Sequence, residues 1–239
     1  MCQELILSWQ ATKNEQWFPV GRFAKQSNVY SFVYTKGAKK AKENGFIGLA
    51  SMQNFDTKYY YEDVFPLLKN RILNKSRPDR DEFLKWLEIE SEDSDFEELA
   101  KTGGIKATDN LQLFPVPIKE NNRYTVSFFA QGISHLTRKT QLRIEQLKKG
   151  EKLYFCADLE NPQDKNAHLL RTDDPVEMVG YCPKHFAKDF KRLFDLSKES
   201  FNIEVQRVNK DAPEQLRLLC KINCDWHSDF SPFSEPEFE

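Results

Sequence analysis

Apolar and polar residues alternate along Glu4 to Gln10, and the same period of two returns over Trp17 to Phe23 and Val29 to Tyr34, with turn residues between. Three strands of a small sheet are predicted. The pattern then changes to a helical one: polar Lys36 to Asn44, stopped at Gly45, forms a short helix, and Val64, Leu67, Leu68 and Ile72 place a second over Tyr61 to Leu73. A third helix, Arg80 to Leu87, is expected to be capped by Asp79. The acidic, serine-containing stretch Glu88 to Glu98 is either an exposed linker or the solvated start of a further helix. Gly103-Gly104 marks a stop or turn, after which Leu111 to Val116 adds a strand.

Pro115-Val116-Pro117 and Glu120-Asn121-Asn122 place a domain boundary near residue 119, separating residues 1–118 from residues 119–239. Strands are predicted beyond it at Tyr124 to Ala130, Lys152 to Ala157, Ala167 to Leu170, Val176 to Tyr181, Phe201 to Val208 and Leu216 to Ile222. Six short strands with little helix between them suggest a small barrel. The fold class is therefore α+β, a small N-terminal sheet with helices followed by a β-barrel with short helices. One of those helices, Lys139 to Lys149, is expected to end in a glycine cap at Gly150. The other starts at Pro183 and segregates sharply, with Phe186, Phe190, Leu193 and Phe194 on one face and Lys184, Lys188, Lys191 and Arg192 on the other. Its cations are either solvated side chains on a packed helix or a rim that meets phosphates together with the amides of the first turn. The tail Glu235 to Glu239 is expected to be disordered.

Composition narrows the function classes. At 239 residues, with 30% charged and 39% hydrophobic residues, the chain has the balance of a globular protein, and 19 Phe and 8 Tyr carry much of its packing. No segment approaches the roughly 20 apolar residues of a membrane span, and the N-terminus lacks the basic start of a signal peptide, so a cytoplasmic protein is expected. Five cysteines at irregular positions argue for reduced thiols. The net charge of −2, spread evenly over both halves, leaves any electrostatic case to local clustering.

The polar tract Glu160-Asn161-Pro162-Gln163-Asp164-Lys165-Asn166-Ala167 between two strands is the most informative local chemistry. Asn-Pro starts turns, and Asp and Asn leave donors and acceptors facing outward, a loop suited to gripping the end of a ligand. Other constellations are weaker. Cys182, His185, Cys220, Cys224 and His227 have spacings that zinc accepts, but Leu216 to Ile222 reads as a strand and cysteine suits small buried positions. No signature ties Cys156 or Cys182 to a base. The basic cluster Arg71, Lys75, Arg77 and Arg80 looks structural, and Gly103-Gly104 lacks the lysine of a phosphate loop. The carboxylates of Glu88 to Glu98 look solvated. No metal, cofactor or catalytic residue is assigned, and the chain is expected not to be an enzyme.

The C-terminal half resembles the HIRAN domain, on Gly132-Ile133-Ser134-His135, Leu147 to Leu153, Asn161 to Ala167 and Val179-Gly180-Tyr181-Cys182-Pro183-Lys184. The resemblance implies an OB-like barrel that holds the free 3′ end of single-stranded DNA. It implies Asn161, Asp164 and Lys184 as contacts and Tyr181 as lining the pocket; the polar loop adds Lys165, the basic helix adds attraction through Lys188, and His135 or Tyr181 offers a stacking surface. The well-studied member of that family carries an aromatic where this chain has Gln163, and an Arg-Tyr pair where this chain has Ser134-His135. The N-terminal half resembles the first N-terminal subdomain of HipA-type kinases, on Val20 to Phe23, Ser31 to Tyr34, Phe65 to Ile72 and Leu99 to Gly104. Without a catalytic aspartate loop, that resemblance implies a module docking a protein partner, whether kinase, helicase or nuclease. The expected function is non-enzymatic binding of single-stranded DNA in DNA repair or phage defence. The alternative is an antitoxin-like regulatory subunit of a HipA-type serine/threonine kinase, as in toxin-antitoxin systems.

Overall fold

The computed structural model describes residues 4–13, 15–27, 29–90, 95–161 and 164–239. They divide into two compact units, one built from Met1–Val116 and Ser231–Glu239 and the other from Pro117–Phe230.

In the first unit, β1 (Glu4–Gln10), β2 (Trp17–Gln26), β3 (Val29–Tyr34), β4 (Tyr59–Tyr61) and β5 (Leu111–Pro115) form an antiparallel sheet of order β4-β3-β2-β1-β5. Alternation does the sorting here: Leu5, Leu7, Val20, Phe23 and Phe32 are fully buried on one face. Onto this face pack α1 (Lys36–Glu43), through Ala38 and Ala41, and α4 (Asp95–Thr102), through Phe96 and Leu99. Phe23 meets Phe32 at 4.6 Å and Phe65 at 5.1 Å, so aromatic pairs fill the centre.

Four expectations for this unit are corrected. The helix predicted over Tyr61 to Leu73 shrinks to the single turn α2 (Pro66–Lys69), and Tyr61 belongs to β4. Pro66 forces Phe65 into extended backbone, so the helix cannot begin earlier. Beyond it the buried Arg71 side chain reaches away to the Gly104 carbonyl (2.6 Å) and Asp109. Next, α3 (Arg80–Leu87) forms as predicted but Asp79 does not cap it, because Arg77 grips its carboxylate at 2.8 and 2.7 Å. Third, the acidic run is not uniformly solvated. Glu98 is 1% exposed, takes the Leu73 amide at 2.6 Å and lies 3.0 Å from the buried Arg80 guanidinium. Residues 91–94 of that run lie outside the described residues.

The fourth correction concerns the C-terminal tail, which is ordered and belongs to this unit. Phe233 is buried between Phe114 (5.2 Å) and Phe238 (5.1 Å), and the Lys36 amide donates to the Glu239 carbonyl at 2.7 Å. Lys36 and Lys40 of α1 pair with the carboxylates of Glu239 and Glu237. Two aromatic anchors and two lysines outweigh the polar look of the segment.

The second unit contains β6 (Arg123–Phe129), β7 (Lys152–Ala157), β8 (His168–Arg171), β9 (Met178–Tyr181), β10 (Asn202–Val208) and β11 (Leu218–Asp225) in the order β6-β11-β10-β7-β8-β9. The sheet curls, and its edges meet where Gln131, just past β6, exchanges hydrogen bonds with Tyr181 at 2.8 and 2.9 Å. This is the barrel-like half of the expected α+β fold. Tyr124, Val126, Phe128, Leu153, Leu170, Ile203, Val205, Cys220, Ile222 and Cys224 are buried on the inner face. The helix α6 (Ala187–Leu196) closes one opening through Phe190, 5.3 Å from Phe128 and 6.4 Å from Tyr124. Burial pushes the Cys224 thiol up to about 11 and raises those of Cys182 and Cys220 well above their ordinary value, consistent with cysteines acting as small apolar fillers. Among the described residues, no three His, Cys, Asp or Glu side chains gather as a metal site would need, and no helix is long and apolar enough to cross a membrane. The helix α5 (Arg138–Gln146) is capped by Thr137, which accepts from the Thr140 amide. It stops at Gln146, so Gly150 (φ 82°) is not its cap but turns the chain into β7.

Candidate functional site

The loop from β7 to β8 is pinned at both ends. The Asp158 amide donates to the Ala167 carbonyl at 2.9 Å, and the Cys182 amide donates to the His168 carbonyl at 2.9 Å. Within it, the side chains do the work of backbone turns: Asn161 Oδ1 accepts the Asp164 amide (3.0 Å) and Asp164 Oδ1 accepts the Asn166 amide (2.9 Å). Pro162 and Gln163 lie outside the described residues.

Asp158 is the hub. Its Oδ2 accepts both the Tyr181 hydroxyl at 2.8 Å and the Asn161 amide nitrogen at 3.1 Å. These bonds, the tyrosine's first, hold the Asp158 carboxyl below the usual carboxylate range, and the same contact raises the Tyr181 hydroxyl above its ordinary value. Tyr181 is therefore fixed at its tip by Asp158. Along its edge stands Gly132, at φ 75°, where an added Cβ would come within 3.3 Å of the ring. Sequence reasoning singled out Tyr181, Asn161 and Asp164 but missed the residue that joins them. The signal was an Asp-x-x-Asn spacing at a strand exit, which favours exactly such a local turn bond.

His168 was also missed. Its ring is buried and stacks on Phe155 (4.2 Å, 3° between planes), and its Nδ1 lies 2.7 Å from the Asn166 carbonyl, which can only accept, so Nδ1 carries the proton. Burial lowers the ring's proton affinity and keeps it in this neutral form. The far end of the loop is thereby clamped to the barrel.

The remaining predicted residues surround this network. Lys165 is exposed next to Asp164, and Lys184 is exposed in the 3₁₀ turn that follows β9, three residues past Tyr181. Ser134 and His135 are exposed on the 3₁₀ turn Ile133–His135, entered directly from the Gln131–Tyr181 bridge. Lys188 is exposed on α6. The amphipathy of that helix holds, with Phe186, Phe190 and Leu193 buried and Phe194 against Phe155 and Phe201. Its basic rim is thinner than predicted, because Lys191 pairs with Asp195 and Arg192 leans toward Asp189 (3.8 Å) over the Phe230 ring. The structure thus bonds Asn161, Asp164 and Tyr181 into one network, with Lys165 and Lys184 on the segments flanking it. His135 and Lys188 stand further along those segments.

Residues 123–227 match the family model described as the HIRAN domain. Two solved structures are similar to the chain. The HIRAN domain of human HLTF is 17% identical, with 42% of this chain and 74% of that one covered at a TM-score of 0.32. A protein from Lactobacillus plantarum is 15% identical, with 46% of this chain and 93% of that one covered at a TM-score of 0.34. No curated protein matches the chain.

Proposed function

We propose that the second unit, through its HIRAN-matching segment, binds single-stranded DNA and takes the strand by its end. The observation that carries this reading is the Asp158–Asn161–Asp164–Tyr181 network beside the exposed Lys165 and Lys184. A chain end offers hydroxyl donors to carboxylates, a base offers a flat face to a fixed aromatic ring, and the adjoining phosphates offer charge to lysines. The network supplies all three kinds of partner, and its rigidity lowers the entropy lost on binding. No bond need be made or broken, so the unit acts as a binding module rather than a catalyst. In this reading the first unit, with its own core and its resemblance to the HipA-type subdomain, docks a partner protein.

Fluorescence anisotropy with labelled strands tests the proposal. Single-stranded DNA with a free 3′ end should bind more tightly than the same strand with that end blocked, than duplex DNA and than single-stranded RNA. Asp164→Ala should erase the preference for the free end. Lys184→Glu with Lys188→Glu should weaken every strand and soften the salt dependence. Equal affinity for free and blocked ends reduces the unit to a general polyanion binder, and no binding of any strand removes the reading.

A further inference from the structure

The outer face of β7, β8 and β9 carries a second set of groups that the loop does not use. Register places Tyr154 opposite Arg171, Cys156 opposite Leu169, and Leu169 in turn opposite Tyr181. All five are half-buried and share one face, while their neighbours in sequence, Leu153, Leu170 and Gly180, are buried inside. The Arg171 guanidinium lies 4.5 Å from the centre of the Tyr154 ring, and Lys152 Nζ lies 5.2 Å from it. Arg171 is anchored there by a 2.9 Å bond to the Thr172 carbonyl, whereas Lys152 is exposed on a flexible stem.

A solvated face is the ordinary state of one side of an antiparallel sheet, and polar residues alone would need no explanation. Two features exceed that state. An aromatic ring with two cations close to it holds what a single-strand track uses, since a ring stacks on any base while cations meet the adjoining phosphates. And register leads along this face from Tyr154 by way of Leu169 to Tyr181, across two strand spacings and two residues of rise, roughly 12 Å in all. Glu204 of β10 sits opposite Lys152 in register but opposite Lys221 as well, so one carboxylate is shared between two lysines.

We infer that the ligand's path continues from the end-holding loop over Leu169 to Tyr154, with Arg171 and Lys152 on the phosphates of the nucleotides that follow the captured end. The inference rests on the reading given above, because it needs a strand already held at Tyr181. Lys152 leaves the ring for a phosphate, and a base takes its place or stacks on the fixed guanidinium plane.

The test compares a strand just long enough to fill the loop with one several nucleotides longer, over a series of salt concentrations, in the full-length protein. The longer strand should bind more tightly. Tyr154→Leu, which keeps apolar bulk but removes the ring, should weaken the long strand about tenfold and leave the short one unchanged. Lys152→Gln with Arg171→Gln should flatten the long strand's slope of log affinity against log salt by about 1.4, the value for two phosphates of a single strand. Lys152→Gln alone, at an exposed site, should give half that change and guards against misfolding of the pair. If the short strand binds and these variants leave the long strand's affinity and slope intact, the track is refuted while end capture stands. If the protein binds neither strand, both readings fall.

Discussion

Lowering the pH should loosen the second unit through a residue placed beside the site. His185 lies in the turn that carries Lys184, half-buried with its ring 4.4 Å from that of Phe186, and desolvation pushes its imidazolium from the ordinary 6.5 down to about 3. In the unfolded chain the same ring titrates near 6.5. Between those values the unfolded state binds a proton that the folded state refuses. Stability from the neutral ring is therefore complete above pH 6.5 and drains as pH falls, by about 1.4 kcal/mol for each pH unit. At about pH 5 the loss is roughly 2 kcal/mol. His168, also lowered by burial, adds loss in the same direction. Urea titrations across this range, followed by the fluorine signal of 5-fluorotryptophan at Trp226, read the second unit separately from the first. His185→Gln should remove nearly one proton from the slope. If the variant and the parent lose stability in parallel from about pH 7 to about pH 5, His185 is not held neutral by burial and the reasoning fails.

Two further outcomes are expected. Glu98→Ala leaves the Arg80 guanidinium buried without its carboxylate and the Leu73 amide without an acceptor, and should cost the first unit roughly 3–5 kcal/mol. Replacing both partners, Arg80→Met with Glu98→Leu, should cost less than the single change; chemical denaturation showing the reverse order would overturn the account of this pair. Gly180→Ala places a methyl 3.0 Å from both Ala130 Cβ and the Gln131 carbonyl, at φ 144°, and should cost roughly 1–3 kcal/mol while opening the junction of β6 and β9. Hydrogen exchange at the Gln131 and Tyr181 amides checks it, and unchanged protection there would contradict the tight fit.

The strands were legible because burial on one face writes itself into alternation: Glu4 to Gln10 and Lys152 to Ala157 form strands at the predicted limits. Tyr59–Tyr61 was not legible, since three consecutive tyrosines carry no period. The helix over Tyr61 to Leu73 failed because helical spacing of apolar residues survives in a segment that Pro66 and the buried Arg71 prevent from coiling. At the site, Asn161, Asp164 and Tyr181 could be picked out by their chemistry, whereas Asp158, His168 and the pairing of Tyr154 with Arg171 depend on which strand lies beside which. A local pattern cannot contain that information. The C-terminal tail failed for the same reason, its order coming from Phe114 and α1, far away in sequence.

That return of Ser231–Glu239 to the first unit bears on synthesis. A ribosome delivers β1 to β5 early, yet Phe233 and Phe238, which cover Phe114, emerge only after the entire barrel has been translated. The first unit therefore cannot bury those two rings until the barrel's whole sequence has been made. The barrel's entry and exit strands lie side by side, Arg123 pairing with Asp225, so the chain leaves the barrel next to where it came in. Pulse proteolysis of stalled translation products should find the inserted barrel protected before the segment that precedes it.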